Sequence, residues 1–88
     1  MKITAFEWDE QNEWHIFRHN VIPQEVEEVC RDSRVIYRKE GGRYIFFGQT
    51  AGGRYLTVIL EHKGYGLVRV ITARDMDKKE RRYYQSRR

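Results

Sequence analysis

The sequence contains one cysteine, Cys30, and one proline, Pro23. A lone cysteine excludes an internal disulfide, and near Val26 and Val29 it reads as a small buried residue. No run of about 18 apolar residues occurs, so a membrane-spanning helix is not expected. No charged-then-apolar leader opens the chain, because Met1 to Asp9 already alternates like a strand, and a cytoplasmic protein is expected. Gly-x-Ser-x-Gly, Walker and dinucleotide signatures are all missing, which removes the commonest routes to serine hydrolysis and nucleotide binding. His15 and His19 have the i, i+4 spacing of a zinc pair, but the zincin glutamate and a third ligand are wanting. Neither metal nor any other cofactor is therefore expected.

What is present is charge, distributed unevenly. The chain has 88 residues, enough for one domain over 1–88 and too few for two useful cores. Its formal net charge is +4, yet residues 1–32 carry eight acids against three bases, and the remainder carries fourteen bases against five acids. A basic, arginine-rich region interleaved with tyrosine fits a polyanion, because Lys and Arg displace counterions from phosphates. A merely solvated surface would have the same composition.

The periodicity predicts an α+β order. Ile3 to Asp9 alternates as a first strand, and Asp9 offers the N-cap of a helix reaching Asn20. On that helix, Trp14, Phe17 and Val21 form an apolar stripe, with His15 and His19 directed elsewhere. Pro23 begins a second helix, whose N-cap, Ile22, has no side-chain acceptor. The period then changes to two, giving strands at Val35–Lys39, Arg43–Gln49, Tyr55–Glu61 and Leu67–Thr72. Between them, Gly41-Gly42, Gly52-Gly53 and Gly64 to Gly66 supply turns, so an antiparallel meander is expected, with the first strand and two helices packed on it. Asp77 and Glu80 have capping-box spacing and open a basic C-terminal helix.

Arginines interrupt this pattern. Arg69 lies inside the apolar run Leu67 to Ile71, Arg74 closes that strand, and Arg54 opens the preceding one. Leu56, Val58 and Leu60 share one face with Val68 and Val70, which assigns Arg69 to the other. Arginines and aromatics on a sheet face can grip phosphates and stack bases.

The segments Phe6-Glu7-Trp8-Asp9, Arg18-His19-Asn20-Val21, Gly52-Gly53-Arg54-Tyr55-Leu56, Arg69-Val70-Ile71-Thr72-Ala73-Arg74 and Glu80-Arg81-Arg82-Tyr83 occur in the order of motifs of the BrnT family of bacterial type II toxins. The resemblance spans nearly the whole chain. It implies a RelE-like fold, endoribonuclease activity and neutralisation by a BrnA-type antitoxin that itself binds operator DNA, so that DNA is met only through the partner. The chain departs from the family where Arg18-His19-Asn20-Val21 replaces the common Lys-His-Gly-Val, where His15 replaces a frequent Asn, and at Thr72, often Ser.

Metal-free RNA cleavage needs activation of the 2′-hydroxyl, stabilisation of phosphorane charge and a proton for the leaving oxygen. Arg54, Arg69 and Arg74 are the candidates for the phosphate. His19 is the candidate proton carrier, an unperturbed imidazole titrating near neutrality. Glu80 and Tyr83 are secondary catalytic candidates, although Glu80 can equally close the capping box and Tyr83 pack on the sheet. Trp8, Arg18, Lys78, Lys79, Arg81 and Arg82 are candidates for RNA contact, with a core position the commoner fate of a first-strand tryptophan. The alternative is a non-catalytic protein that keeps the scaffold to bind RNA or the antitoxin.

Overall fold

The computed structural model describes residues 1–88. In chain order the elements are β1 (Ala5–Glu7), α1 (Glu10–Phe17), α2 (Pro23–Arg31), β2 (Ile36–Glu40), β3 (Arg43–Gln49), β4 (Tyr55–Gly64), β5 (Leu67–Asp75) and α3 (Lys78–Arg87). The four later strands form the expected antiparallel meander, but the sheet has five strands in the order β1-β5-β4-β3-β2. β1 pairs parallel to β5, with Phe6 opposite Val68, so the sheet is mixed and the first strand belongs to it as an edge. This corrects the purely antiparallel expectation. Gly66 makes the junction possible: its carbonyl accepts from the Thr4 N–H at 2.8 Å, and a Cβ there would lie 2.7 Å from the Lys2 carbonyl oxygen. Only glycine tolerates both that approach and the residue's φ of 81°.

Alternation divides the sheet into two faces. Phe46, Leu56, Val58, Leu60, Val68, Val70 and Ala73 point to one side and form a single core with Ile16 of α1 and Val26, Val29 and Cys30 of α2. Leu56, Val58, Leu60, Val68 and Val70 are fully buried, as the two-residue period requires. Each such side chain contributes about 1.5–3 kcal/mol relative to exposure. Cys30 is buried there, and loss of water pushes its thiol up to about 12. The opposite face carries Phe47, Thr57 and Arg74, and α3 folds back over that end of it through Tyr83 on Phe47 and Glu80 on Thr57.

The helix starts follow local chemistry. Asp9 caps α1 reciprocally with Asn12, and Asp77 caps α3 reciprocally with Glu80. Ile22 provides no side-chain cap to α2; Glu25 instead accepts from the Ile22 N–H at 3.2 Å. α1 corrects two expectations. It ends at Phe17, before His19 and Asn20, and the residues it buries are Asn12 and Ile16, not Trp14 and Phe17. The reason is an exposed backbone: β1 stops opposite Arg69, leaving the next β5 carbonyl, that of Val70, without a strand partner. The Asn12 amide donates to that oxygen at 3.1 Å and to the Glu7 oxygen at 2.8 Å, turning the polar side of the helix inward.

Candidate ribonuclease site

β5 and α3 together assemble the most concentrated group of candidate residues. Arg74, across the ladder from Thr57, donates to both Glu80 carboxylate oxygens, at 2.7 and 2.9 Å. The Oε1 of Glu80 also accepts from the Thr57 hydroxyl at 3.2 Å and the Asp77 N–H at 3.0 Å. Glu80 thus closes the capping box and pairs with arginine at once. Arg74 first, then the Asp77 backbone, hold the carboxyl below its ordinary value against the opposing effect of burial. The same hydrogen bonds raise Arg74. The pair has a half-exposed cation and a more covered anion, with 36% and 20% of their side chains accessible. The remaining guanidinium donors are therefore within reach of solvent.

One turn beyond Glu80, the Tyr83 ring meets Phe47 edge-on at 5.3 Å. Arg38 of β2 lies over both rings, 5.4 Å from Phe47 and 5.2 Å from Tyr83. Arg38, Phe47, Asp77, Lys79, Glu80 and Tyr83 line a cleft of about 270 Å³. Arg38 escaped the sequence reading because it lies on an exposed edge strand, and only α3 folding back gives it an aromatic bed. Lys78, Lys79, Arg81 and Arg82 share α3 with the cleft, and none of them is in an ion pair. Arg81 stacks on Tyr55 at 3.9 Å. Beyond the reach of α3, Ile45, Ile59 and Thr72 leave the same sheet face partly exposed.

The other candidates are elsewhere. Arg54 extends on the helix side of the sheet: Nε donates to Asp75 at 2.9 Å, Nη1 to Glu25 at 3.2 Å and to the Asn20 carbonyl, and Nη2 to the His19 carbonyl at 3.1 Å. It fastens the α1–α2 connection to the start of β4. His19 enters that contact through its backbone, one residue before Asn20, whose φ of 59° is left-handed. Asn tolerates that geometry as Gly does, which accounts physically for Asn20 where the resemblance implies a glycine. Arg69 shares the face of Arg74 but lies five residues along the strand, tied to Glu7 at 3.1 Å and Asp9 at 2.8 Å. The bond to Arg69, reinforced by the Asn12 backbone, lowers the Asp9 carboxyl. Trp8 donates to Glu27 at 2.9 Å and packs against the core, away from the cleft. Arg18 contacts His15 at 3.3 Å on the exposed end of α1. No three His, Cys, Asp or Glu side chains converge as a metal-ligand set.

The fold and this cleft define a small α+β protein that gathers arginine, lysine and aromatic side chains on one sheet face. Residues 8–80 match the family described as ribonuclease toxin, BrnT, of type II toxin-antitoxin system, and the chain belongs to it. Membership supplies ribonuclease activity at the level of the family and an antitoxin as partner. No match to a curated protein is found. No helix is long and apolar enough to cross a membrane.

Proposed function

We propose that this chain is a cytoplasmic endoribonuclease on a RelE-like scaffold, cleaving RNA by attack of its own 2′-hydroxyl without a metal, and that Arg74 is the centre of the site. The observation that carries this reading is the half-exposed, bidentate Arg74–Glu80 pair beside unpaired Lys79 and the Arg38–Tyr83 stack. Arg74 has donors left for a phosphate, and such donors are worth most where charge develops in the transition state. Lys79 adds charge at the cleft wall. Tyr83, with Arg38, offers a plane on which a base can stack. Glu80, kept ionised by Arg74, is the acceptor in the cleft for the 2′-hydroxyl proton once an incoming phosphate loosens the pair; the 2′-oxygen bonds to phosphorus as the bond to the 5′-oxygen breaks, and that oxygen takes its proton from solvent in the open cleft. In this reading Arg54 and Arg69, already bound to carboxylates, hold the scaffold, and His19 is remote from Arg74. The neutralising partner is a BrnA-type antitoxin with a DNA-binding domain.

The same ion pair favours a second reading. Arg74 and Glu80 neutralise one another, so a chain in which the pair never opens would bind RNA or antitoxin without turnover. Purified protein incubated with single-stranded RNA in excess chelator separates the two. Cleavage leaving 2′,3′-cyclic phosphate ends, with DNA untouched, is the expected result. RNA binding without cleavage across several RNAs supports the second reading, and cleavage abolished by chelator refutes metal independence.

A further inference from the structure

The largest concavity of the molecule is on the opposite side from the cleft. α1 and the connection to α2 border a shallow, open groove of about 960 Å³ lined by Glu10, Glu13, Trp14, His15, Phe17 and Ile22, among others. Trp14 and Phe17 are 61% and 60% exposed and Ile22 is 48% exposed. The two rings stack on each other at 5.9 Å and on nothing else aromatic. Ile16 and Asn12 are the residues α1 buries, and its largest apolar side chains are left mostly exposed. A clustered apolar surface of this kind marks a contact with another macromolecule.

Charge identifies the occupant. Glu10 and Glu13 stand on the rim, and neither is in an ion pair. Two unpaired carboxylates repel phosphates and disfavour RNA there. A second copy of this chain has two basic, aromatic segments to offer, α3 and β2, but Tyr84 is fully buried, Tyr83 is committed to Phe47, Tyr37 is stacked on Phe46, and Arg38 is paired with Glu40. We propose that the groove receives an amphipathic, Lys/Arg-flanked segment of the antitoxin, its apolar residues seated on Trp14, Phe17 and Ile22 and its cations facing Glu10 and Glu13. Such helix-in-groove docking reads a few apolar anchors and a complementary rim. The proposal rests on family membership, and not on where RNA is bound or cut. It places the antitoxin's anchor across the sheet from Arg74, so inhibition requires the rest of the partner to reach over the cleft.

The test is calorimetric titration of the purified toxin with the protein encoded immediately beside its gene. Trp14→Ser and Phe17→Ser are each expected to weaken binding at least tenfold, with circular dichroism unchanged because both rings are exposed. The Glu10→Gln, Glu13→Gln double variant, which leaves the apolar anchors intact, is expected to weaken binding and flatten its salt dependence. Arg74→Ala, which touches only the part of the partner that covers the cleft, is expected to weaken binding less than either Trp14→Ser or Phe17→Ser. Because heat of binding is read, loss of ribonuclease activity does not bear on the outcome. The proposal is overturned by wild-type toxin that does not bind this protein, by full affinity in the Trp14, Phe17 and double variants, or by a loss of affinity in Arg74→Ala that exceeds those of Trp14→Ser and Phe17→Ser. It is equally overturned by a toxin dimer that Trp14→Ser dissociates, or by RNA binding that Trp14→Ser weakens.

Discussion

Arg54 and Arg74 lie at the paired ends of β4 and β5, each holding carboxylates, and they serve opposite sides of the same sheet. Arg54 spends its donors on two carboxylates and two carbonyls within the helix layer. Arg74 binds a single carboxylate and the neighbouring Asp75 carbonyl, on the side where α3 leaves an open cleft. An arginine interrupting an apolar strand therefore has two meanings. Where the chain itself supplies every acceptor, the guanidinium is a clamp; where acceptors run short beside unpaired cations, it is available to a ligand.

The comparison breaks first on stability. Arg54→Ala removes the clamp and leaves Glu25 and Asp75 facing each other without a cation, an expected loss of roughly 2–3 kcal/mol. Thermal unfolding should register it as a fall of about 4–8 °C per kcal/mol for a domain this size. Arg74→Ala removes one ion pair only, and the Thr57 hydroxyl and the Asp77 N–H still donate to the Glu80 carboxylate, so the expected loss is about 1 kcal/mol or less. An equal drop in both variants would remove the distinction.

A smaller effect sharpens the account of the sheet edge. Asn12→Ala is expected to lose about 1–2 kcal/mol in denaturant unfolding, because the Val70 and Glu7 carbonyls lose their donor and α1 its cap partner. Asn12→Asp should cost at least as much, since a carboxylate offers the two carbonyls no hydrogen.

The smallest expected effect is in acid. Glu80 binds its proton less readily when folded than at its ordinary value of 4.5. Its contribution to stability is therefore complete above about pH 5 and is lost as pH falls below 4.5 toward the depressed folded value. Glu80→Gln should flatten that part of the acid limb while leaving the contributions of Asp9 and Asp32, also lowered by arginine partners. An unchanged acid limb would show that the Arg74–Glu80 pair adds no stability.

Much of the fold was legible because its signals are local. The period-two runs, the glycine turns, Pro23 and the Asp77–Glu80 capping box depend on near neighbours, and β3 begins and ends where alternation puts it. β1 joining β5 was hidden because it needs Gly66 to meet residues sixty positions earlier in the chain. α1 misled for a related reason. Its apolar pattern marked Trp14 and Phe17 for the core, but an orphan carbonyl on β5 competes for the inward face and Asn12 satisfies it. In the candidate site, strict alternation along β5 would put Arg69 and Arg74 on opposite faces; the irregularity by which Leu60 pairs with Val70 but Ile59 with Thr72 brings them to one face, and nothing local distinguished either from Arg54. That difference comes from carboxylates supplied by β1, α2 and α3, and Arg38 required the return of α3 before its surroundings meant anything.

The central claim, that one arginine builds the molecule and the other acts on RNA, is tested most directly by single-turnover cleavage rates of Arg54→Ala and Arg74→Ala, compared with wild type at a temperature where all three are folded. The expected result is a fall of about a hundredfold or more for Arg74→Ala, corresponding to loss of a transition-state donor worth roughly 3 kcal/mol, and a rate within a few-fold of wild type for Arg54→Ala. Equal losses in the two variants, or an Arg74→Ala protein that cuts at the wild-type rate, would contradict it.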